Sequence, residues 1–337
     1  MKEGQSFKVV AQKLPARSVP VYGEAFRVEE EILDTAGARL VIVDTDSEDS
    51  FMEVAGDADA LLVYAGGIQI SRNVIASLQR CKIIAVAAVG YDNVDIAAAS
   101  ERNIWVTNVP DVFIEEVADH TMTLLLGAWR RLLFQDKLVR TGRWNEARPM
   151  LNRFPRLMGQ TLGFISFGNV PKAVSRRAKP FGFHMMAYDP YISELVMGEY
   201  GVEPITELSE LLERSDFVSA HLPLSAETRH LISEQQFKQM KSSAIFINTG
   251  RGSTVDEAAL IKGLSDGWIA GAALDVFEKE PVESGNPLLT MDNVILTAHA
   301  ASASSRMPSE TRRRATKEVV RVLKGGAPIS PVNFRRQ

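Results

Sequence analysis

Cysteine is almost missing from this 337-residue chain: Cys81 stands alone, so no internal disulfide can form. That excludes a disulfide-stapled scaffold and favours a reducing, cytoplasmic setting. Cys81 precedes the apolar run Ile83–Val86 and reads as a small buried hydrophobe, with a catalytic thiol as the alternative. Long apolar stretches are lacking too. No run approaches the roughly 20 residues that cross a bilayer, and the opening MKEGQSFKVV has no apolar core of signal-peptide length, so no membrane partner is expected. Positive charge is not in surplus: 38 Lys and Arg stand against 42 Asp and Glu, a net charge of -4. Such a chain has no general attraction for nucleic-acid phosphates. The basic cluster Arg312–Arg314 lies beside Ala315, Val319, Val320 and Leu323 at helical spacing and reads as the solvated face of a late helix. No solenoid repeat or low-complexity tract is present, and no metal site is expected.

What remains is a chain with 45% hydrophobic and 24% charged residues, in the range of soluble globular proteins and long enough for two domains. The first third alternates the strand-like runs Val9–Val10, Leu40–Val43, Ala60–Tyr64, Ile83–Val86 and Ile104–Val106 with helix-like segments such as Glu24–Ala36 and Ser71–Gln79. That alternation predicts an α/β fold with a doubly wound parallel sheet. A proline-free stretch from Glu115 to about Leu138 predicts one uninterrupted helix, and Thr141–Met158, rich in Arg, Pro, Trp and Asn, a connecting loop.

A second parallel unit begins near Gln160, with apolar runs at Leu162–Phe167, His184–Tyr188, Phe217–Ala220, Ala244–Ile247, Ala270–Leu274 and Val294–Leu296. These runs end on Gly168, Asp189, His221, Thr249–Arg251, Asp275 and His299. In open parallel sheets ligands bind outside the carboxyl ends of the strands, so these turns are expected to converge on one cleft. A helix over about Pro308–Leu323 and a Gly- and Pro-punctuated tail close the chain.

The first of these turns, in LGFISFGNVPKAV, carries a damaged dinucleotide fingerprint. Ser166, Gly168 and Pro171 stand where three glycines serve the tight turn, the backbone approach to pyrophosphate and helix-on-strand packing. Serine can hold the turn at some cost if φ is positive, and Pro171 falls in a first helical turn, where proline is tolerated. Backbone N–H groups of Asn169 and Val170 could face a pyrophosphate; an ordinary strand-to-helix turn is the alternative. Asp189, about 20 residues on, is where an acid binds ribose hydroxyls, and its charge favours NAD(H) over a 2′-phosphorylated cofactor.

Reducing a keto group by hydride leaves a developing alkoxide that needs a cation and a proton donor. Arg251, in NTGRG, offers a charged fork for a carboxylate and the carbonyl beside it. His299, in LTAHAA, is the natural donor, and Glu280, in FEKEP, the carboxylate that would raise its pKa and orient the ring. Each alone has an ordinary reading as a surface ion-pair partner, an edge histidine or a loop acid; three on adjoining turns are improbable by accident.

With VGYDNVDI, NVPDVFIEEVADHT, HLPLSAETRHLI, FINTGRG, GAALDVFEKEP and TAHAA, the chain resembles the D-isomer-specific 2-hydroxyacid dehydrogenases over nearly its whole length, leaning through EEVADHT, HAASASS and PVN toward the C-terminal-binding proteins. The resemblance implies a Rossmann NAD domain (110–303) inserted in a flavodoxin-like substrate domain (1–109 and 304–337), and a homodimer through a helix near Phe113–Leu138. It places Arg251, Glu280 and His299 at the catalytic positions, and Val89, Gly168, Asn169, Val170, Asp189, Leu222, Thr249, Gly250 and Asp275 around the cofactor. The substrate carboxylate would be held at Ala88–Gly90 with Arg251, in a cleft between domains.

Ser166, Pro171, Ala88 and Ser302 depart from the family's pattern: the first two replace fingerprint glycines, Ala88 replaces a frequent glycine, and Ser302 a tryptophan of the C-terminal-binding proteins. Tyr64, Val86, Trp144, Arg148, Ser302 and Met307 are pocket candidates with structural roles as the alternative. The expected activity is NAD-dependent interconversion of a 2-keto and a D-2-hydroxy acid. An NADH-sensing dimeric regulatory protein is the alternative, and a folded relic with neither cofactor nor activity a third reading.

Overall fold

The computed structural model describes residues 7–13, 26–64, 67–149, 154–305 and 307–333, the last range without the side chains of 307 and 308. Glu24 and Ala25 of the first expected helix, part of the expected 141–158 loop, and the Met307 side chain fall outside it. The chain divides into two units, 1–113 with 304–337, and 114–303.

In the first unit the strands β1 (Phe7–Gln12), β2 (Ala38–Val43), β3 (Ala60–Val63), β4 (Ile83–Val86) and β5 (Trp105–Thr107) pair in parallel in the order β2-β1-β3-β4-β5. This doubly wound order reverses between β1 and β3. Strands β3 and β4 are buried along their whole length, which is why they read as unbroken apolar runs. Phe51, Ile75 and Leu78 belong to one core cluster, Phe26, Leu33 and Val319 to another. Helices start where the sequence offers a capping side chain: Ser71 accepts from Val74 N and Asp95 from Ala98 N. The tail docks on β5 through Asn333, which accepts from Val106 N at 2.8 Å and donates to Ile104 O at 2.9 Å.

Arg312 corrects the reading of the basic cluster. On the Met307–Leu323 helix it lies on the same face as Ala315, Thr316 and Val319, and that face is buried. It is 4% exposed and pairs with the fully buried Glu29 (2.6 Å from Nη2), which also accepts from the Tyr64 hydroxyl at 2.8 Å. Burial and the Glu29 carboxylate push the Tyr64 phenol well above its ordinary range. Tyr64 and Val86 are thus core residues, not pocket walls. Arg313 and Arg314 are the solvated members, paired with Glu310, and Arg314 also with Asp111. Cys81 packs against the core, and burial pushes its thiol up to about 12, which removes the nucleophile alternative.

In the second unit β6 (Thr161–Ile165), β7 (His184–Tyr188), β8 (Glu203–Pro204), β9 (Phe217–Ala220), β10 (Ile245–Asn248), β11 (Gly271–Leu274) and β12 (Val294–Leu296) pair in parallel in the order β12-β11-β10-β9-β6-β7-β8. The order reverses between β6 and β9, a Rossmann switch point. The two-residue β8 has too short a signal to read from sequence. The expected single helix is two: Ile114–Trp129 and Leu132–Arg140, separated by Arg131 at φ 47°. The first packs Met122, Leu124 and Leu125 into the core, and its contacts end at Trp129, edge-on to Phe217. Among the described residues no helix is long and apolar enough to cross a membrane.

Candidate active site

Strand β6 delivers Ser166–Gly168 to the start of the Asn169–Ala178 helix. Ser166 has φ 73°, the left-handed turn that a fingerprint glycine usually takes. A Cβ added at Gly168 would meet nothing within 4 Å, and the N–H groups of Asn169 and Val170 have no acceptor among the described residues. An open glycine beside two unpaired donors at a helix start suits a pyrophosphate. Pro171, within that first turn, is buried. Asp189, after β7, closes the cradle: Oδ2 accepts from Phe167 N (2.8 Å) and Ser166 Oγ (3.2 Å), and Oδ1 from Tyr191 N (2.9 Å). These residues fit the adenosine half of NAD.

The loop after β10 is braced by the buried Asn248, whose side chain accepts from Gly250 N and donates to Arg251 O. Thr249 Oγ1 lies 2.9 Å from Thr121 Oγ1 of the Ile114–Trp129 helix, and the carbonyl of Leu222, after β9, lies against Gly250. His221 is half-buried, its Nε2 2.9 Å from Ser219 Oγ, and desolvation brings its pKa down to about 3, so it stays neutral. At Gly252 a Cβ would stand 1.9 Å from the carbonyl carbon of Phe277. Only glycine lets the Arg251 loop lie against the segment that carries Glu280.

Glu280 Oε1 accepts from Phe277 N at 3.0 Å, and Oε2 lies 2.7 Å from His299 Nδ1. Burial alone would raise the Glu280 pKa, but the His299 and Phe277 hydrogen bonds outweigh it and the net shift is downward. His299 moves up: the Glu280 hydrogen bond raises it more than desolvation lowers it. The Arg251 charge acts on both partners, so the three share one electrostatic neighbourhood. With Nδ1 committed to Glu280, the ring leaves Nε2 without a partner among the described residues.

His299 itself sits at φ 50°, held by Asp275. The Asp275 carbonyl accepts from His299 N (2.8 Å), and the fully buried carboxylate takes Ala300 N, Ala301 N and Thr297 Oγ1 at 2.8, 2.9 and 2.6 Å. His120 Nε2 adds a contact to Thr297 Oγ1 at 3.0 Å. Reading strand ends found Asp275 but not this anchoring work, and it missed His120, Asn248 and Gly252. The quoted motifs hold all three, so the signal was present without a spatial partner to interpret it.

In the other unit, Ala88–Gly90 follow β4. The carbonyls of Ala88 and Val89 accept from Val109 N (2.9 Å) and Asn108 Nδ2 (2.6 Å), while the N–H groups of 88–90 have no acceptor among the described residues. Ala88 is not among the positive-φ residues, so alanine stands there without strain. Trp144 and Arg148 are exposed and Ser302 is half-buried. Among the described residues no group of His, Cys, Asp and Glu could hold a metal ion.

The model of the D-isomer specific 2-hydroxyacid dehydrogenase NAD binding domain matches residues 122–301. A glyoxylate reductase of Korarchaeum cryptofilum is 40% identical over 96% of this chain and 95% of its own. A D-3-phosphoglycerate dehydrogenase of Methanocaldococcus jannaschii is 37% identical over 94% of this chain but 58% of its own. Among solved structures, the D-lactate dehydrogenase of Aquifex aeolicus with NAD and lactic acid superposes with a TM-score of 0.81 at 28% identity, over 94% of this chain and 96% of its own.

Proposed function

The chain belongs to the D-isomer-specific 2-hydroxyacid dehydrogenases, NAD-dependent oxidoreductases, and on that premise we propose that it reduces a small 2-keto acid such as glyoxylate to its 2-hydroxy acid through Arg251, Glu280 and His299. The observation that carries this reading is the 2.7 Å Glu280–His299 contact beside the Arg251 charge. Bound NADH supplies the hydride. Arg251 holds the substrate carboxylate and polarises the keto oxygen; His299 gives its Nε2 proton to that oxygen as the C=O bond becomes CH–OH, then regains one from solvent. Glu280 keeps His299 charged and oriented until transfer. The N–H groups of Ala88, Val89 and Gly90 are the further carboxylate donors in the proposal. Gly168, Asn169, Val170 and Asp189 take the adenosine half of the cofactor; Val89, Leu222, Thr249, Gly250 and Asp275 border the nicotinamide half. The small-acid preference draws support from the glyoxylate reductase relative.

The test follows NADH oxidation against glyoxylate, pyruvate, hydroxypyruvate, phenylpyruvate and bulkier keto acids. Turnover should be fastest with the small acids, and His299→Ala should lose about 100-fold or more, the contribution of a general acid, with NADH binding unchanged. Unaltered turnover in that variant removes His299 from the chemistry. A silent panel with intact NADH binding would point to a nucleotide-sensing regulator instead. A cytoplasmic homodimer completes the proposal. Leu132 and Leu133, at the start of the Leu132–Arg140 helix, are 58% and 55% exposed and Trp144, at the start of the next helix, 59%, apolar surface that a contact between subunits would cover. Sedimentation should give twice the 37.1 kDa chain mass; a monomer at micromolar concentration would refute it.

A further inference from the structure

We propose that Ser166 is a positioning residue for Asp189, the carboxylate assigned above to the ribose hydroxyls, and so rests on that reading. A glycine at 166 would make the same turn without strain. Serine at φ 73° is strained, and such strain persists where the surroundings hold it in place. Two contacts do so: Ser166 N donates to Tyr188 O at 2.9 Å, and Ser166 Oγ donates to Asp189 Oδ2 at 3.2 Å. Among the described residues that carboxylate oxygen is the only partner of the hydroxyl. Phe167 N binds the same oxygen and Tyr191 N the other, so three donors from two segments pin the carboxylate at both oxygens. The hydroxyl thereby converts the turn residue into part of the nucleotide-recognition device. It fixes the acceptor for a ribose diol and keeps a negative charge where a 2′-phosphate would fall.

The experiment measures NADH and NADPH dissociation constants by fluorescence titration, and melting temperature, for wild type, Ser166→Gly, Ser166→Ala and Asp189→Ala. Losing the hydroxyl should weaken NADH binding about three- to tenfold in both serine variants, the range of one hydrogen bond, and narrow the preference for NADH over NADPH. The melting temperatures should diverge: Ser166→Gly rises because the turn is relieved, whereas Ser166→Ala falls because it keeps the strain and loses the bond. Wild-type NADH affinity in both serine variants, with Asp189→Ala weakened at least tenfold, overturns the role of Ser166 and leaves the ribose reading standing. Weakening in Ser166→Ala alone assigns the effect to backbone strain and also overturns it. Unchanged NADH binding in Asp189→Ala removes the ribose reading and this inference with it.

Discussion

Non-glycine residues with positive φ among the described residues are Asn103, Arg131, Ser166, His230 and His299, and two of the five stand on site-forming strand ends. The cost at Ser166 was foreseen from its place in the glycine fingerprint, whereas that at His299 was not; His299 drew notice only because imidazole, guanidinium and carboxylate on adjoining strand ends are improbable by accident. What the sequence could not carry is direction: that Glu280 faces Nδ1 of His299 emerges only from the fold. That contact sets a pH dependence. His299 is raised by Glu280, so it remains a proton donor at pH values where an ordinary histidine, near 6.5, is neutral. In the proposed mechanism keto-acid reduction needs the protonated ring, so the rate is expected to fade as pH rises through the raised pKa. In Glu280→Gln the support is gone, and that limb of the kcat profile moves to lower pH, while the limb for hydroxy-acid oxidation, which needs the neutral ring, also begins lower. A profile that stays in place in the variant would show that Glu280 does not tune His299. For stability the signs differ by partner: the His299 share is lost as pH rises through its raised pKa, and the Glu280 share as pH falls through its lowered one. Both side chains are well exposed, so the stability effect is small.

Elements were legible where the apolar run is unbroken: β4 and β9, buried along their whole length, have the bounds of their runs, and so do β7, buried at its centre, and the half-buried β12. They were illegible where tertiary contact decides. The helix break at Arg131 has no proline to announce it, and Arg312 is buried only because Glu29 of the Arg27–Asp34 helix lies opposite. Removing one partner of such a pair leaves a buried charge, which is why the contact ties those two helices together. Gly252 belongs to the same class. Its close approach to Phe277 and Glu278 joins the loop after β10 to the loop after β11, and with them Arg251 to Glu280. Alanine there collides with backbone, which cannot rotate away as a side chain can. Gly252→Ala is therefore expected to cost about 1–3 kcal/mol or more of stability and to reduce kcat beyond what the melting temperature explains, because the two loops separate. Circular dichroism melts beside single-turnover rates check this; normal rates in a destabilised variant would mean that the loops carry no shared geometry.

For the whole molecule, the alternation of strand and helix made two parallel sheets legible, while the point at which the chain passes from one unit to the other is set by packing. Each unit has its own apolar clusters: Phe51, Ile75 and Val319 lie in those of the first, Phe164, Phe217 and Phe246 in those of the second. Units with separate cores unfold as separate cooperative blocks. The Gly168 cradle belongs to unit 114–303, so NADH bound there stabilises that block. At a hundred times its dissociation constant a ligand contributes about 2.7 kcal/mol, which for a block of this size is a rise of roughly 5–11 °C. Scanning calorimetry should resolve two transitions, with NADH displacing that of 114–303 by the larger amount, since of the proposed cofactor residues only Val89 lies in the other unit. Limited proteolysis at the temperature between them should then spare the peptides of 114–303 and cut those of 7–113. A single transition that moves as a whole would show the two cores to be coupled. No movement at saturating NADH would deny the cradle its ligand, since a site that binds only the folded state must raise the temperature at which that state is lost.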